Sequence, residues 1–595
     1  MKRFYYAILL TCLSVIGLNC QKEISYALKN PGAGTGNGNP SPLIATLQGN
    51  IIDENDRPAA NVAIQVGNKT VITNDKGYFR VVNASLDKNA TLVTAEKTGY
   101  FKALRSFRAT SGANHIMIKL IKKEIAGTVN ATVGGNVTLF NGSKVALPAN
   151  AVVKASGGSS YSGNINVYAA YIDPTAADIA QLVPGSFMAD DKNNKRVTLS
   201  SYGMLAIELE SSTGEKLQVA SGSVATLTTV IPSTVQSSAP ATIALWYVDE
   251  KTGIWKEEGT AVKNGNNYIG EVKHFSFWNC DVPISAVTLS LTLKTGKAVP
   301  IANSAVRLTA TAAGSSSQAY GYTDSVGQVS GFVPANQSLL LEVLDPCNNA
   351  IYTKSIGPLS QNTDLGIITI NNSGSPSLVT IEGQLKDCSN QPVTDGYAII
   401  NYDNTSRYIS VNDKGEFTTS FLRCSGSSSV FEVIGINELA QQQGTSATIN
   451  ITTPVTNTGN VIACGVTSTQ YINYKLEAVD YSITTAANDS LYSHSYRTQT
   501  TPPLFTWISG MKQANNDYIS LSFEHDAAAG TYLITALSVQ GFDSVTVMQP
   551  SAVILTNYPV NVGGFYEGTF SGQFRKMANA LPVYTITGSF RIRRW

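Results

Sequence analysis

Four histidines, His115, His274, His494 and His525, are all that this chain of 595 residues offers for imidazole chemistry. His274 is the best placed of them, within His274-Phe275-Ser276-Phe277-Trp278. A metal site there needs partners, and neither an HExxH nor a paired CxxC motif supplies them, so the ring reads as structural. A hydrolase serine would stand in Gly-x-Ser-x-Gly, and none does. Asp53-Glu54-Asn55-Asp56 and Asp190-Asp191-Lys192-Asn193-Asn194 present oxygen donors. Neither follows the calcium-loop spacing, and both read as solvated turns. Glycosidase carboxylates leave no motif that would mark a pair. No catalytic, metal or cofactor-binding residue is therefore assigned, no cofactor is expected, and the chain reads as a non-enzyme.

What must position side chains in this sequence is β-structure. Lys and Arg number 42 against 41 Asp and Glu, a formal charge of +1 that excludes a global electrostatic hold on nucleic acid. Charged residues make up 14%, against roughly 25% in an average soluble domain. Ser, Thr, Asn and Gly replace them, and these residues favour strands and tight turns. Hydrophobic residues at 43% suffice for packed cores. From Leu43 onward short alternating runs recur, such as Leu47-x-Gly49-x-Ile51 and Val62-x-Ile64-x-Val66, with no sustained helical period. The expected fold class is all-β, a tandem of Ig-like or transthyretin-like antiparallel β-sandwiches.

Internal repeats are the most specific signal. Gly49-x-Ile51-x-Asp53, Arg57-Pro58-x-x-Asn61-Val62 and Thr73-Asn74-Asp75-Lys76-Gly77-Tyr78-Phe79 describe a strand, a Pro-bearing turn and a hairpin turn before an aromatic strand. The pattern returns as Gly383-x-Leu385-x-Asp387, Gln391-Pro392-Val393 and Asn412-Asp413-Lys414-Gly415-Glu416-Phe417. A weaker copy holds Pro300-x-x-Asn303 and Thr323-Asp324-Ser325-Val326-Gly327. Gly77 and Gly415 are assigned as structural turn residues with positive φ, and Asp75 is expected to close its turn. These residues resemble the carboxypeptidase regulatory-like (transthyretin-like) domain, which implies a non-catalytic accessory sandwich. Leu245-Trp246-Tyr247, Gly253-Ile254-Trp255 and His274 to Asp281 are similar to a β-domain of cartilage intermediate layer proteins. The boundaries expected are 44–123, 124–282, 283–372, 376–466 and 467–595. The units are a first regulatory-like sandwich, the cartilage-type domain, a divergent second and a third regulatory-like sandwich, and a C-terminal β domain. Each is expected to carry its own core.

The N-terminus supplies an address. Lys2 and Arg3 precede an apolar run from Phe4 to Leu18, too short for a confident span and suited to a signal peptide. The run ends at Gly17-Leu18-Asn19-Cys20, which resembles a lipoprotein signal of the relaxed kind found in Bacteroidota, with Cys20 as the lipidated residue. Residues 1–20 are the expected signal, and the Gly- and Pro-rich residues 21–43 a flexible tether. Cys280, Cys347, Cys388, Cys424 and Cys464 remain, an odd number, with bridges permitted but the pairing open. The expectation is a surface-exposed outer-membrane lipoprotein, a rod of sandwiches for adhesion, assembly or display. The alternatives are a glycan-binding lipoprotein for polysaccharide capture, with Tyr397, Tyr402 and Tyr408 as stacking candidates, and an envelope hydrolase with an unrecognised site. The partners expected are the membrane through a lipid anchor, and glycans or other surface proteins.

Overall fold

The computed structural model describes residues 41–594, apart from 313–316, 372–376, 425, 488, 498–503, 543–544, 560–563 and 577–581. Cys20, the signal segment and all but the last residues of the tether lie outside the described residues, as does the side chain of His494. The rest is strand joined by turns, with one four-residue α-helix, Ile179–Leu182, and two short 3-10 turns among the described residues.

Three units share one topology. In the first, strand Pro42–Ile52 pairs antiparallel with Tyr78–Asp87 and parallel with Asn114–Lys119. A four-stranded sheet, Ala63–Val66, Lys69–Ile72, Thr91–Glu96 and Ala103–Phe107, closes over it. The same pair of ladders recurs around Phe277–Thr295, with Gln328–Pro334 and Thr363–Ile370, and around Leu378–Lys386, with Glu416–Leu422 and Val455–Ile462.

The repeat residues explain themselves in this frame. Gly77, Gly327 and Gly415 have φ of +66°, +79° and +74°. A Cβ at Gly77 would stand 2.3 Å from the Ile51 carbonyl oxygen, and one at Gly415 2.8 Å from that of Leu385. The side chain that closes each turn is the one three residues before the glycine, not Asp75. Asn74 Oδ1 accepts from the Lys76 and Tyr78 amides, both at 3.0 Å. Asp324 and Asn412 repeat the arrangement. Gly49 and Gly383 lie against the rings of Phe79 and Phe417, where any Cβ would collide. The middle copy places Val329 opposite Leu291, so it needs no glycine there. That copy also keeps a lock that the third has lost. Thr323 Oγ1 donates to the Ile301 carbonyl (2.8 Å) and accepts from the Ser304 amide (2.9 Å). Thr73 does the same in the first unit, whereas Val411 has no hydroxyl to offer.

Between the first two copies, residues 125–282 form one hydrogen-bonded sheet system wrapped over two cores. The alternation of Phe277 and Trp278 on one strand sends a ring into each. Trp246, Trp255 and Trp278 are all buried, each with its indole N–H on a backbone carbonyl. The last unit is a nine-stranded antiparallel sheet curled around a single core among the described residues. Its final two strands, Phe565–Lys576 and Val583–Arg593, pair Gly568 with Phe590 and Phe570 with Gly588. Each ring covers the opposite glycine, and a Cβ on Gly588 would meet Phe570 at 2.4 Å.

The expectation of a rod of units with private cores is corrected here. Phe101 and Leu104 of the first sandwich sit in the second core of the next unit, with Trp246 and Trp255. Strand Phe277–Thr295 runs unbroken through the expected boundary at 282/283. Leu378 and Leu422 of the third regulatory-like unit belong to the core of the second. The disulfide Cys347–Cys424 joins the same two units, and Cys388–Cys464 closes the third internally. The first sandwich also touches the third copy and the C-terminal unit. Asn50 Nδ2 donates to the Asn404 carbonyl (3.0 Å), the Arg80 guanidinium covers the Tyr408 ring (3.9 Å), and Tyr492 packs against the first core. The Gly112 amide also donates to Asp324 of the second copy (3.1 Å), so one sandwich meets all four other units.

Turn geometry yields a direct test. Gly77→Val and Gly415→Val force a β-branched residue into the left-handed region against a backbone oxygen, and each should cost about 1–2 kcal/mol or more. Exposed Lys76→Ala and Lys414→Ala should stay within about 0.5 kcal/mol of the parent in denaturant melts. A valine tolerated at both glycines would contradict the turn assignment.

Candidate functional site

The residues singled out from the sequence are spent on structure. Asp53 Oδ1 accepts from the Asn55 and Arg57 amides, and Asp191 Oδ1 from those of Asn193 and Lys195. Asp190 is bracketed by Arg196 and Lys256, each at 2.6 Å. Neither loop gathers its carboxylates around a common point. His274 packs edge-on against Tyr247 (4.7 Å) and beside Trp278 (5.0 Å), and burial lowers its pKa. His525 accepts the Ala527 amide at Nδ1 (3.0 Å), so its other nitrogen donates to Thr506 Oγ1 (2.6 Å). Burial pushes that imidazole down to about 4 and keeps it neutral. Tyr402 is buried, and Tyr408 lies under Arg80, so neither offers the open face that stacking on a sugar requires. Asp345, Cys347 and Cys424 gather as a metal site would, but the two sulfurs are bonded to each other. Cys280 is buried, and burial pushes its thiol up to about 12.

One grouping has the residue types of acyl chemistry. Ser201 donates to Asn279 Oδ1 (2.7 Å) beside Asp281, at an irregularity in the pairing of Arg196–Ser211 with Phe277–Thr295. All three are sealed, at 0%, 1% and 0% exposure, so no substrate reaches them. Burial drives Asp281 far above the ordinary carboxylate range and holds it neutral.

Two open grooves carry polar and charged linings. The groove between the first and second units, about 600 Å³, is lined by Lys123, Glu208 and Lys216. Lys123 pairs with Glu208 (2.7 Å) and Glu210 (2.6 Å), and Lys216 with the same two carboxylates. These charges satisfy one another. The larger groove, about 700 Å³, lies on the C-terminal sheet and is the candidate binding face.

Strand pairing builds that face in two rows. Ser482, Asn473, Ser589, Thr569 and Ile554 stand side by side across five strands. Asp480, Lys475, Thr587, Ser571 and Ala552 form the parallel row. Period-2 alternation puts the core residues Ile472, Phe570, Ile586 and Phe590 on the opposite face, so the rows are a consequence of the core. Ser482 donates to Asn473 Oδ1 (2.7 Å). Tyr474 stacks on Tyr481 at 4.7 Å and 5° on the core side of the sheet. Short hydroxyl and amide side chains in register lose little entropy on binding, and they suit a ligand rich in hydroxyls. Sequence reading missed this face because Ser and Thr on a strand also mark an ordinary solvated surface. Only strand order brings residues 473, 569 and 589 together.

No family model matches the chain, and no curated protein does. Among solved structures it is similar to the shaft pilin spaA from Lactobacillus rhamnosus GG, at 9% identity over 30% of this chain and 98% of that one, TM-score 0.17. It is similar to BcpA, the major pilin subunit of Bacillus cereus, at 8% identity over 71% and 99%, TM-score 0.13. The Bacillus anthracis TIE protein matches at 8% over 79% and 70%, TM-score 0.14. Scores of this size carry no functional inference. The all-β, antiparallel sandwich class stands on the strands themselves.

Asp281 yields a pH prediction. Its folded pKa lies above the unfolded value near 3.8, so the folded chain holds a proton that the unfolded chain releases. Its contribution is full below that value and is lost as pH rises. Asp281→Asn, which stays neutral, should therefore melt above the parent at pH 7–8, and the gap should close toward pH 4. An equal shift at both pH values would contradict a buried neutral acid.

Proposed function

We propose that this chain is a non-enzymatic cell-surface lipoprotein, anchored to the outer membrane through Cys20, that presents the C-terminal face to a hydroxyl-rich ligand for adhesion. The observation that carries the reading is the pair of rows, in which Ser482, Asn473, Ser589 and Thr569 stand in register beside Thr587 and Ser571. The interlocked sandwiches supply a stiff mount for such a face, and the tether of residues 21–43 gives it reach from the bilayer. Two acyl signals convert transient membrane contact into stable attachment, which an adhesin under load requires. Capture of soluble polysaccharide is the second reading, and the same rows favour it. The two differ in whether the ligand is fixed to a surface or free.

Both halves of the proposal are measurable on the full chain. Wild type should partition with detergent-extracted membranes and carry a fatty-acid mass on its N-terminal peptide, and Cys20→Ser should be released. Immobilised and soluble neutral glucans, mannans and galactans are the probes for the face. Binding to at least one class should fall about tenfold or more when Thr569→Arg and Thr587→Arg block the rows, the loss expected from removing about 1.4 kcal/mol. Retention of the immobilised form alone would assign adhesion, and equal affinity for soluble chains would assign capture. Binding that ignores the two arginines, or no binding by wild type, contradicts the site.

A further inference from the structure

Where the first three units meet, a cavity of about 90 Å³ is lined by Arg105, Arg108 and His115. Arg105, on strand Ala103–Phe107, is 8% exposed, and its Nε and Nη2 have no acceptor. His115, on strand Asn114–Lys119, is 7% exposed, and its Nδ1 has none. Arg108 completes the basic wall and reaches Ser330 Oγ (3.3 Å). Among the described residues that line this cavity there is no Asp or Glu. Of the nearby acids, Asp87 acts on Arg108 rather than Arg105 and accepts the Ser41 and Asn89 amides. Asp324 accepts the amides of Gly112, Val326 and Gln328, and Asp178 pairs with Lys119 at 2.9 Å.

A buried guanidinium without a partner is among the costliest groups a fold can hold. Burial lowers Arg105 to about 10, which still leaves it charged at neutral pH. Water filling the cavity would solvate the fork but leave its charge standing. A planar or tetrahedral oxoanion fits both the volume and the donors, because Nε and Nη2 present two parallel N–H groups. His115, kept neutral by burial with its pKa near 3, can present an N–H at Nδ1 as a further donor. Tyr320 and Tyr322 also line the cavity, with Tyr322 edge-on to His115 at 5.4 Å.

We infer that this junction is a binding site for one small oxoanion, held by Arg105 and His115, which fastens the first three units together. The shared chemistry is that of phosphate, sulfate or a small carboxylate. Sulfate, inorganic phosphate and acetate, each titrated into the full chain against chloride at matched ionic strength, distinguish the sources. The expected result is a saturable rise in melting temperature and one site per chain by calorimetry, with sulfate and phosphate displacing each other. A response to acetate alone would assign a carboxylate. Arg105→Met should abolish the rise, and Arg105→Lys should weaken binding about tenfold or more because the fork is lost. Should Arg105→Met fail to fold, the wild-type titration decides alone. One saturable site supports the assignment. No oxoanion effect beyond chloride, an unchanged response in Arg105→Met, or a crystal with only water at Arg105 overturns it.

Discussion

Phe101 and Leu104 leave their own sandwich to fill the core around Trp246 and Trp255, and the arrangement of the chain depends on that exchange. Burying two such side chains contributes about 1.5–3 kcal/mol each. It also fixes the face of the first sandwich that meets the second unit. With that face set, Gln48 and Asn50 on the other sheet point at the third regulatory-like unit rather than at water. The same packing brings Arg80 over Tyr408 and Tyr492 against the first core. Strand Phe277–Thr295 and the Cys347–Cys424 bridge secure the middle of the chain independently. A bridge between units shortens the open loops of the unfolded chain and resists shear between the two sandwiches.

Local structure was legible in the sequence wherever one residue's chemistry had one outcome. Gly77 and Gly415 announce positive φ because the hairpin demands it. The ring–glycine pairs of the last two strands follow from aromatics alternating with glycine. The turn-closing side chain was assigned one position late, to Asp75, because Asn and Asp both suit such turns and stand side by side. The middle repeat looked the weakest in sequence since it lacks the opening glycine. The structure gives the reason, with Val329 where the other copies carry a ring.

What the sequence did not disclose lies between units. Gln48 and Asn50 carry the same polarity whether they face solvent or a neighbour. Phe101 reads as a core residue of either side. Cys347 and Cys424 stand in different repeats, and spacing alone cannot pair them. The C-terminal groove was hidden for a related reason, since its residues come from five strands far apart in the chain. The candidate binding face therefore rests on tertiary register rather than on a motif.

Hydrogen exchange on a Phe101→Ala variant tests the shared core most directly. Strand Thr242–Asp249, which carries Trp246 in the second unit, should exchange faster in the variant even though the substitution lies in the first. Acceleration confined to residues 42–123, with the Trp246 strand unchanged, would mean the sandwiches stand on private cores and would contradict the account.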